Sequence, residues 1–511
     1  MPRAKAELPA GGHRELRDFL EELQRKRAAG TTEDQLARRS GLSSKTISRI
    51  FNPRPGDTLP GWPSSFCSLL DTLKATEDER SRCHALWTRA SIENTPSLRE
   101  KPSDVAAVLR GSGYLETLRR LYDQDRFPLV ELFGTTAPIC VFPAPPEEWS
   151  NVESALGRLP LDKPFPTRLE EDPHKWPKDY NPDAWRRYAK EVAKGENNRR
   201  WDGPTWAFDR MRIQPGGGVR IDCVPGRYYR SLATSEYLDE ELTNAHKGRE
   251  DQPVDLSRLP HRNWLHRAGC GDDIVLDGRR RNAAVSVAAT VMLATEDGGY
   301  QIMLTPRSQD VATHRFFNHV IPSGIFQPLE PPGLVPSSAF VEREFNVERT
   351  FHREFIEELY DSEEYADPGG RPIYLPHEEP EIERLRAENK AKLYYTGVSV
   401  NLMTLRPEIC LLLLITDPTW LARERKRADA LARQGGRPLK YGWEIAQRPR
   451  DLPPGLSLGH YLTLDRTLNP VGQAGLQSDI LVPNAAAAIR LALTVAAAKT
   501  GLPANAEHTD A

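Results

Sequence analysis

Residues 351–360 read FHREFIEELY, and the reading of this decapeptide decides what the C-terminal half of the chain is. Within it, Arg353-Glu354-Phe355-Ile356-Glu357-Glu358 sets one arginine beside three carboxylates in six positions. Helical spacing predicts an apolar stripe of Val347, Phe351, Phe355 and Leu359. Glu354, Glu357 and Glu358 then stand at i, i+3 and i+4 and share an adjoining face. Three like charges on one face repel, and a bound cation relieves the repulsion. Ligands that are oxygen only suit Mg²⁺ or Mn²⁺. Arg353 offsets part of the repulsion through Glu357, so the stretch reads either as a metal-holding helix or as a plain amphipathic one.

The flanking sequence narrows the choice. Val285–Thr295 is a long apolar run, Glu296-Asp297-Gly298-Gly299 is a turn signal, and Tyr300–Leu304 is a second strand. A third strand is expected at His319–Ile321, ending at Gly324. An irregular insertion, PLEPPGLVPSS, precedes the carboxylate helix. Leu393–Leu405 and Ile409–Ile415 read as a further strand pair, and Asn484–Ala498 as a final Ala-rich helix before a polar tail. Strand hairpin, glycine-ended strand, Arg-Glu-x-x-Glu-Glu helix and further strands follow one another in the order of the Nudix fold.

The segment 282–500 thus resembles a Nudix domain, whose hallmark box matches Arg353, Glu354, Glu357 and Glu358 one by one. The resemblance implies that Glu357 and Glu358 hold a divalent metal, Mg²⁺ or Mn²⁺. It implies that Glu354 ligates the metal or acts as base, and that Arg353 orients a carboxylate. Arg307, in TPRSQD, falls where such proteins touch their ligand, a nucleotide-type small molecule. Three features depart from the box, one being Tyr360 where it has a glycine near its end. Phe345 stands where a glutamate belongs, with Glu344 one residue off, and Gly324 lies 29 residues before Arg353, a longer spacing than the family's. Weak or absent hydrolysis is therefore expected of this box.

The other end of the chain has its own grammar. Leu16, Phe19, Leu20 and Leu23 repeat at helical spacing. In TTEDQLARRSGLSSKTISRIFN, Thr32 and Gln35 fit a capping box that opens one helix. Leu36 and Ala37 face inward, Gly41 permits a tight turn, Ser43 caps the next helix, and Ile47 and Ile50 anchor it. Ser44, Lys45, Ser48 and Arg49 are left facing out. Short hydroxyls and long cations on one face suit base edges and phosphates. Residues 13–90 resemble the Xre/Cro-type helix-turn-helix family in the form common in actinobacterial regulators. The resemblance implies that Ser43, Ser44, Lys45, Ser48 and Arg49 meet duplex DNA. Glu33 departs from it, because it stands where the family often carries a phosphate-touching Gln.

Charge agrees with that layout. Residues 1–60 carry twelve Lys/Arg against eight Asp/Glu, a surplus of four positive charges. The whole chain carries −3, so the remainder carries −7. A basic head on an acidic body is the electrostatic form of a DNA reader, whereas the whole-chain charge drives it to neither nucleic acid nor membrane.

The 511 residues allow roughly two to four domains. The expected organisation is a helix-turn-helix domain at 1–90, a linker at 91–104, a middle region at 105–281, a Nudix-like domain at 282–500, and a disordered tail at 501–511. The fold class is multidomain: an all-α head and an α/β (α+β) C-terminal domain. In the middle, TWAFDRMRI and VRIDCV are joined by Gly216-Gly217-Gly218, which reads as a hairpin because a strand, not a helix, follows. That hairpin favours an extension of the C-terminal sheet over a separate sensor. The six scattered cysteines form no CxxC pair, which argues against a zinc site or a disulfide framework. The start has no apolar core for a signal peptide, and no run spans a bilayer. A cytoplasmic protein is expected, with no membrane partner and with a homodimer allowed. Three functions follow: a DNA-binding transcriptional regulator sensing a nucleotide-type ligand, an active Mg-dependent Nudix hydrolase of a nucleoside diphosphate derivative, or a protein-interaction adaptor.

Overall fold

A computed structural model describes residues 12–28, 30–40, 42–51, 67–76, 111–159, 203–267, 271–306, 317–328, 342–360, 380–420, 461–471 and 481–501, with Glu79, Cys83, Leu86 and Arg423 singly. The expected linker 91–104, Arg307 and the tail beyond Gly501 lie outside the described residues, as do the side chains of Lys45 and Arg49. The chain divides into two compact units, Met1–Val105 and Ala106–Ala511.

The first unit is helical. Its elements are α1 (Gly12–Arg27), α2 (Glu33–Ser40), α3 (Ser44–Phe51) and α4 (Cys67–Thr72). Leu16, Leu20 and Leu23 of α1 meet Leu36 and Ala37 of α2, Ile47, Ile50 and Phe51 of α3, and Leu69, Leu70 and Leu73 in and just after α4. Leu16, Leu20, Leu23, Leu36, Ala37, Ile47 and Ile50 are positions that the sequence pattern turned inward. Cys83 joins the same core. The expected capping box is present in both directions. Thr32 N donates to Gln35 Oε1 at 2.9 Å, and Gln35 N donates to Thr32 Oγ1 at 3.3 Å.

The second unit is built on an eight-stranded sheet. The strands introduced here are β1 (Val130–Leu132), β2 (Thr135–Ala137), β3 (Ile139–Pro143), β4 (Pro204–Ile213), β5 (Val219–Arg227), β6 (Ser286–Ala294), β7 (Tyr300–Pro306), β8 (Asn318–Val320), β9 (Ser323–Ile325), β10 (Ala391–Asn401), β11 (Arg406–Ile415) and β12 (Tyr461–Leu464). The main path runs β12-β7-β6-β11-β10-β3, with β8 on β7 and β9 on β6. Among the described strands of this sheet, β6–β11 is the parallel pair and the others are antiparallel. Pro407–Ile415 is buried at every residue, as a strand covered on both faces requires. The helices of this unit are α5 (Gly113–Leu121), α6 (Tyr228–Ser231), α7 (Tyr237–His246), α8 (Pro260–Leu265), α9 (Val347–Tyr360), α10 (Pro380–Ala387) and the Ala-rich α11 (Pro483–Thr500), which packs on β10, β11, β6 and β3. Its alanines let backbone and sheet approach closely. No described helix is long and apolar enough to cross a membrane.

Two details differ from the expected strands. The third strand, expected to run unbroken to Gly324, is two short strands, β8 and β9, separated by the cis Ile321–Pro322 bond. They pair with different neighbours, so the chain steps from β7 to β6 within a few residues. The glycine-linked hairpin is present as β4–β5, with Gly216 and Gly217 at φ 109° and 96°, but it forms its own two-stranded sheet. It is β3 that extends the C-terminal sheet, through Ile139–Pro143 against Gly397–Asn401.

The middle region is bonded into this unit by side chains as well. It contributes α6 (Tyr228–Ser231), a π-helical turn (Leu232–Glu236), α7 (Tyr237–His246) and α8 (Pro260–Leu265). Every carbonyl of the β10–β11 turn receives a donor from it. Arg262 reaches Leu402 O at 3.0 Å and Met403 O at 2.5 Å, Ser235 reaches Thr404 O at 2.7 Å, and Arg281 reaches Leu405 O at 3.1 Å. Arg406 pairs with Glu236 at 3.0 Å beside the same turn. A tight turn inside a protein leaves carbonyls that water cannot reach, and these side chains satisfy them.

Candidate functional site

Two constellations stand out, one in each unit. In the first, α2 and α3 are neighbours whose apolar residues turn inward. Ser43 Oγ accepts from Thr46 N at 3.0 Å and lies 2.8 Å from Thr46 Oγ1. Ser43 is therefore the N-cap of α3, and its oxygen is committed to that task. Ser44 and Ser48, one turn apart, are both exposed. Ser44 Oγ donates to Asp34 Oδ1 at 2.9 Å, which ties the first turn of α3 to the first turn of α2. The sequence did not single out Asp34, since nothing in a ten-residue separation announces such a bond. The side chains of Lys45 and Arg49 lie outside the described residues.

In the second unit the carboxylate helix is α9 (Val347–Tyr360), as its spacing predicted. Val347, Phe351 and Phe355 are buried and pack it on β6 and β9. Its start is held from the middle region. Glu153, in a 3-10 turn at Val152–Ala155, accepts from Val347 N at 2.9 Å and from Glu348 N at 3.0 Å. Burial pushes the Glu153 carboxyl above the usual range, although the two N–H bonds pull the other way. Farther along, Glu348 is held down at about 2, first by its bond to His352 and then by Arg386.

Arg353 and Glu354 are both buried. The Arg353 guanidinium meets the Glu354 carboxylate at 2.7 Å, and donates to Gln327 O at 2.9 Å and Ile325 O at 3.2 Å. Arginine thus ties the helix to the chain leaving β9. A Cβ on Gly324 would fall 2.1 Å from the Glu354 carboxyl, so only glycine leaves room for that carboxylate. Glu358 Oε2 accepts from Ser323 N at 3.0 Å. Ser323 Oγ lies 3.4 Å from His319 Nε2, and His319 Nδ1 lies 2.9 Å from Val320 O. A carbonyl only accepts, so in the neutral ring Nδ1 carries the proton. His319 and Ser323 are additions to the expected set. They sit beside Glu358 because β8 and β9 fold back, which periodicity could not reveal.

The structure thus brings Arg353, Glu354 and Glu358 to the β8–β9 turn and leaves Glu357 partly exposed on the same helix. The oxygen donors have the chemistry for Mg²⁺ or Mn²⁺. Among the described residues, however, no three His, Cys, Asp or Glu side chains gather as a metal-holding group. In the arrangement seen, Arg353 and Ser323 N each take an oxygen that a metal would need. Phe345, in the glutamate position, packs on Trp206 and Phe326 with ring centroids 5.4 and 5.3 Å away. The adjacent Glu344 is the buried carboxylate, 3.2 Å from Arg349 Nε and from Arg343 Nε.

Cys83, Cys140, Cys223 and Cys410 are buried, and burial pushes the Cys140 thiol up to about 12. Such thiols are packing groups, not nucleophiles. No family model matches the chain, and no curated protein matches it in sequence.

Proposed function

We propose that the protein is a DNA-binding transcriptional regulator whose second unit senses a nucleotide-type ligand at the β8–β9 turn and α9. The observation that carries the first half is α3. Ile47 and Ile50 are buried in the helical core while Ser44 and Ser48 of the same short helix stand exposed. An element held by its apolar face, with hydroxyls outward and its N-terminus capped, fits the geometry of a recognition helix in a major groove. The positive surplus of residues 1–60 supplies the non-specific attraction.

Selection of genomic DNA fragments by the purified full chain tests this. Enrichment of a common sequence, with affinity falling steeply as salt rises, is the expected result. No retained DNA at any salt would remove the regulator reading and favour the adaptor.

A second reading, a Mg-dependent hydrolase of a nucleoside diphosphate derivative, is favoured by Glu354 and Glu358 standing over Gly324 and Ser323. Under it, Glu354, Glu357 and Glu358 would hold the metal. Mg²⁺ or Mn²⁺ should then raise the melting temperature of the full chain, and Glu357→Gln should remove the rise. Release of phosphate from a nucleotide panel separates hydrolase from sensor. A sensor must bind ligand unequally in the free and DNA-bound forms, and the coupling is reciprocal.

A further inference from the structure

The bond between Ser44 and Asp34 fixes the chemical sense in which α3 can meet a base. A serine hydroxyl has one proton and two lone pairs, whereas an aspartate carboxylate only accepts. At 2.9 Å from Asp34 Oδ1, the Ser44 proton is therefore donated within the protein. What Ser44 presents to a partner is lone pairs alone. Both residues are exposed, so the bond lies on the surface that the partner would cover.

In the major groove, adenine N6 and cytosine N4 are donors, whereas guanine N7 and O6 and thymine O4 are acceptors. An acceptor-only hydroxyl matches an amino group and opposes a carbonyl. The negative Asp34 carboxylate behind it strengthens both tendencies, since like partial charges repel at this range. Ser44 is also the first residue of α3, and the first residues of a recognition helix are those that reach base edges. Ser43 differs from it, because its oxygen already accepts from Thr46 N as the cap of the helix. Among the described residues, no carboxylate fixes the hydroxyl of Ser48 in this way.

We propose that the Asp34–Ser44 pair is a specificity-determining device that selects adenine or cytosine at one base of the bound site. The inference rests on the DNA reading given above and adds a chemical rule to it. Glu33 and Asp34 open α2 with two acidic groups, which are a liability on a surface facing phosphate. Using one of them to polarise Ser44 gives that liability a purpose.

The test is selection from a random duplex pool by the full chain and by Ser44→Ala and Asp34→Ala, with sequencing of the retained DNA. The position whose preference changes in Ser44→Ala is the one that Ser44 reads. In the unaltered protein that position should be adenine or cytosine, favoured roughly fivefold to tenfold over guanine or thymine, the scale of one neutral hydrogen bond. Asp34→Ala frees the Ser44 proton, so guanine and thymine should enter at that position while the rest of the site is kept. Both residues are exposed, and an unchanged melting temperature shows that the variants fold. A shared site with guanine or thymine there, or one unchanged by Asp34→Ala, overturns the inference and leaves the DNA reading standing. A pool with no enrichment overturns the DNA reading, and the inference falls with it.

Discussion

The two units use polar residues in opposite ways. Among the described residues, the first unit buries no polar or charged side chain, and its core is aliphatic, with Phe19, Phe51 and Cys83. The second buries Arg230, Glu236, Asp239, Glu241, His261, Arg262, Arg281, Arg353, Glu354, Glu358 and Glu408. Helices α3 and α9 show the contrast at close range. On α3, Ser44 and Ser48 are exposed, and Ser44 is bonded at the surface to Asp34. The charges of α9 are already bonded within the protein. A buried polar group must be satisfied inside the protein, whereas an exposed one is satisfied by water and needs a direct test for a partner.

The largest expected effect tests whether α9's charges are there for stability. Arg353→Ala removes the guanidinium from a buried carboxylate and from two carbonyls of the chain leaving β9. Breaking a buried pair from one side costs about 3–5 kcal/mol. Urea unfolding followed by tryptophan fluorescence should show that loss. A loss below about 0.5 kcal/mol, the range of ordinary surface changes, would mean that the pair is not structural. The face would then be explained by a ligand or metal instead.

The next effect is in pH. Burial raises the Asp239 carboxyl to about 7, with Glu236 and Glu240 adding to the shift. An unfolded aspartate loses its proton near 3.9. Between those values the folded form holds more protons, so stability falls as pH rises through the window and levels off above 7. His261 acts in the opposite sense. Burial lowers it to about 4, so its contribution is present above about 6.5 and is lost as pH falls through 4. Asp239→Asn should flatten the upper limb, a gain of up to about 4 kcal/mol at pH 8 and little at pH 4. Melting curves across that range are the measurement. A slope unchanged by Asp239→Asn would break the claim that the second unit's buried charges govern its pH response.

How much of this was legible depends on the range of the interaction. Helices α1 to α3, the capping box, the β4–β5 hairpin, the β6–β7 and β10–β11 pairs and α9 all follow from patterns within a dozen residues. Ser43 as a cap was legible for the same reason. Glu153 holding the start of α9 was not, since some 194 residues separate it from Val347. The β3 extension, the clamp on Leu402–Leu405 and the His319–Ser323–Glu358 group are likewise products of tertiary folding. Arg353 shows the limit well. Helical spacing pointed it at Glu357, but the position of β9 turned it to Glu354 and two carbonyls.

A smaller effect tests the first unit's side of the contrast. Ser43→Ala should cost about 1 kcal/mol, the usual value of a lost N-cap. The loss belongs to the unfolding of the helical unit, and the transition of the second unit should not move. Were Ser43 a reading residue and not a cap, stability would hold and sequence preference would shift.

The smallest effect on stability is expected at Ser48, and it is the sharpest test of what exposure means here. Ser48 lies on α3 between buried Ile47 and buried Ile50, yet is itself exposed. Ser48→Ala removes a solvated hydroxyl and slightly favours the helix, so unfolding should shift by no more than about 0.5 kcal/mol in either direction. If α3 enters a groove, the same change removes a hydrogen-bonding group from the protein–DNA contact. Affinity for the selected site should then fall by roughly threefold to tenfold, while binding to unrelated DNA, held by phosphate contacts, stays as it was. Stability unchanged with site affinity reduced is the signature of a residue kept for a partner. Site affinity unchanged would place Ser48 away from the DNA and leave the contact to the other outward residues expected on α3.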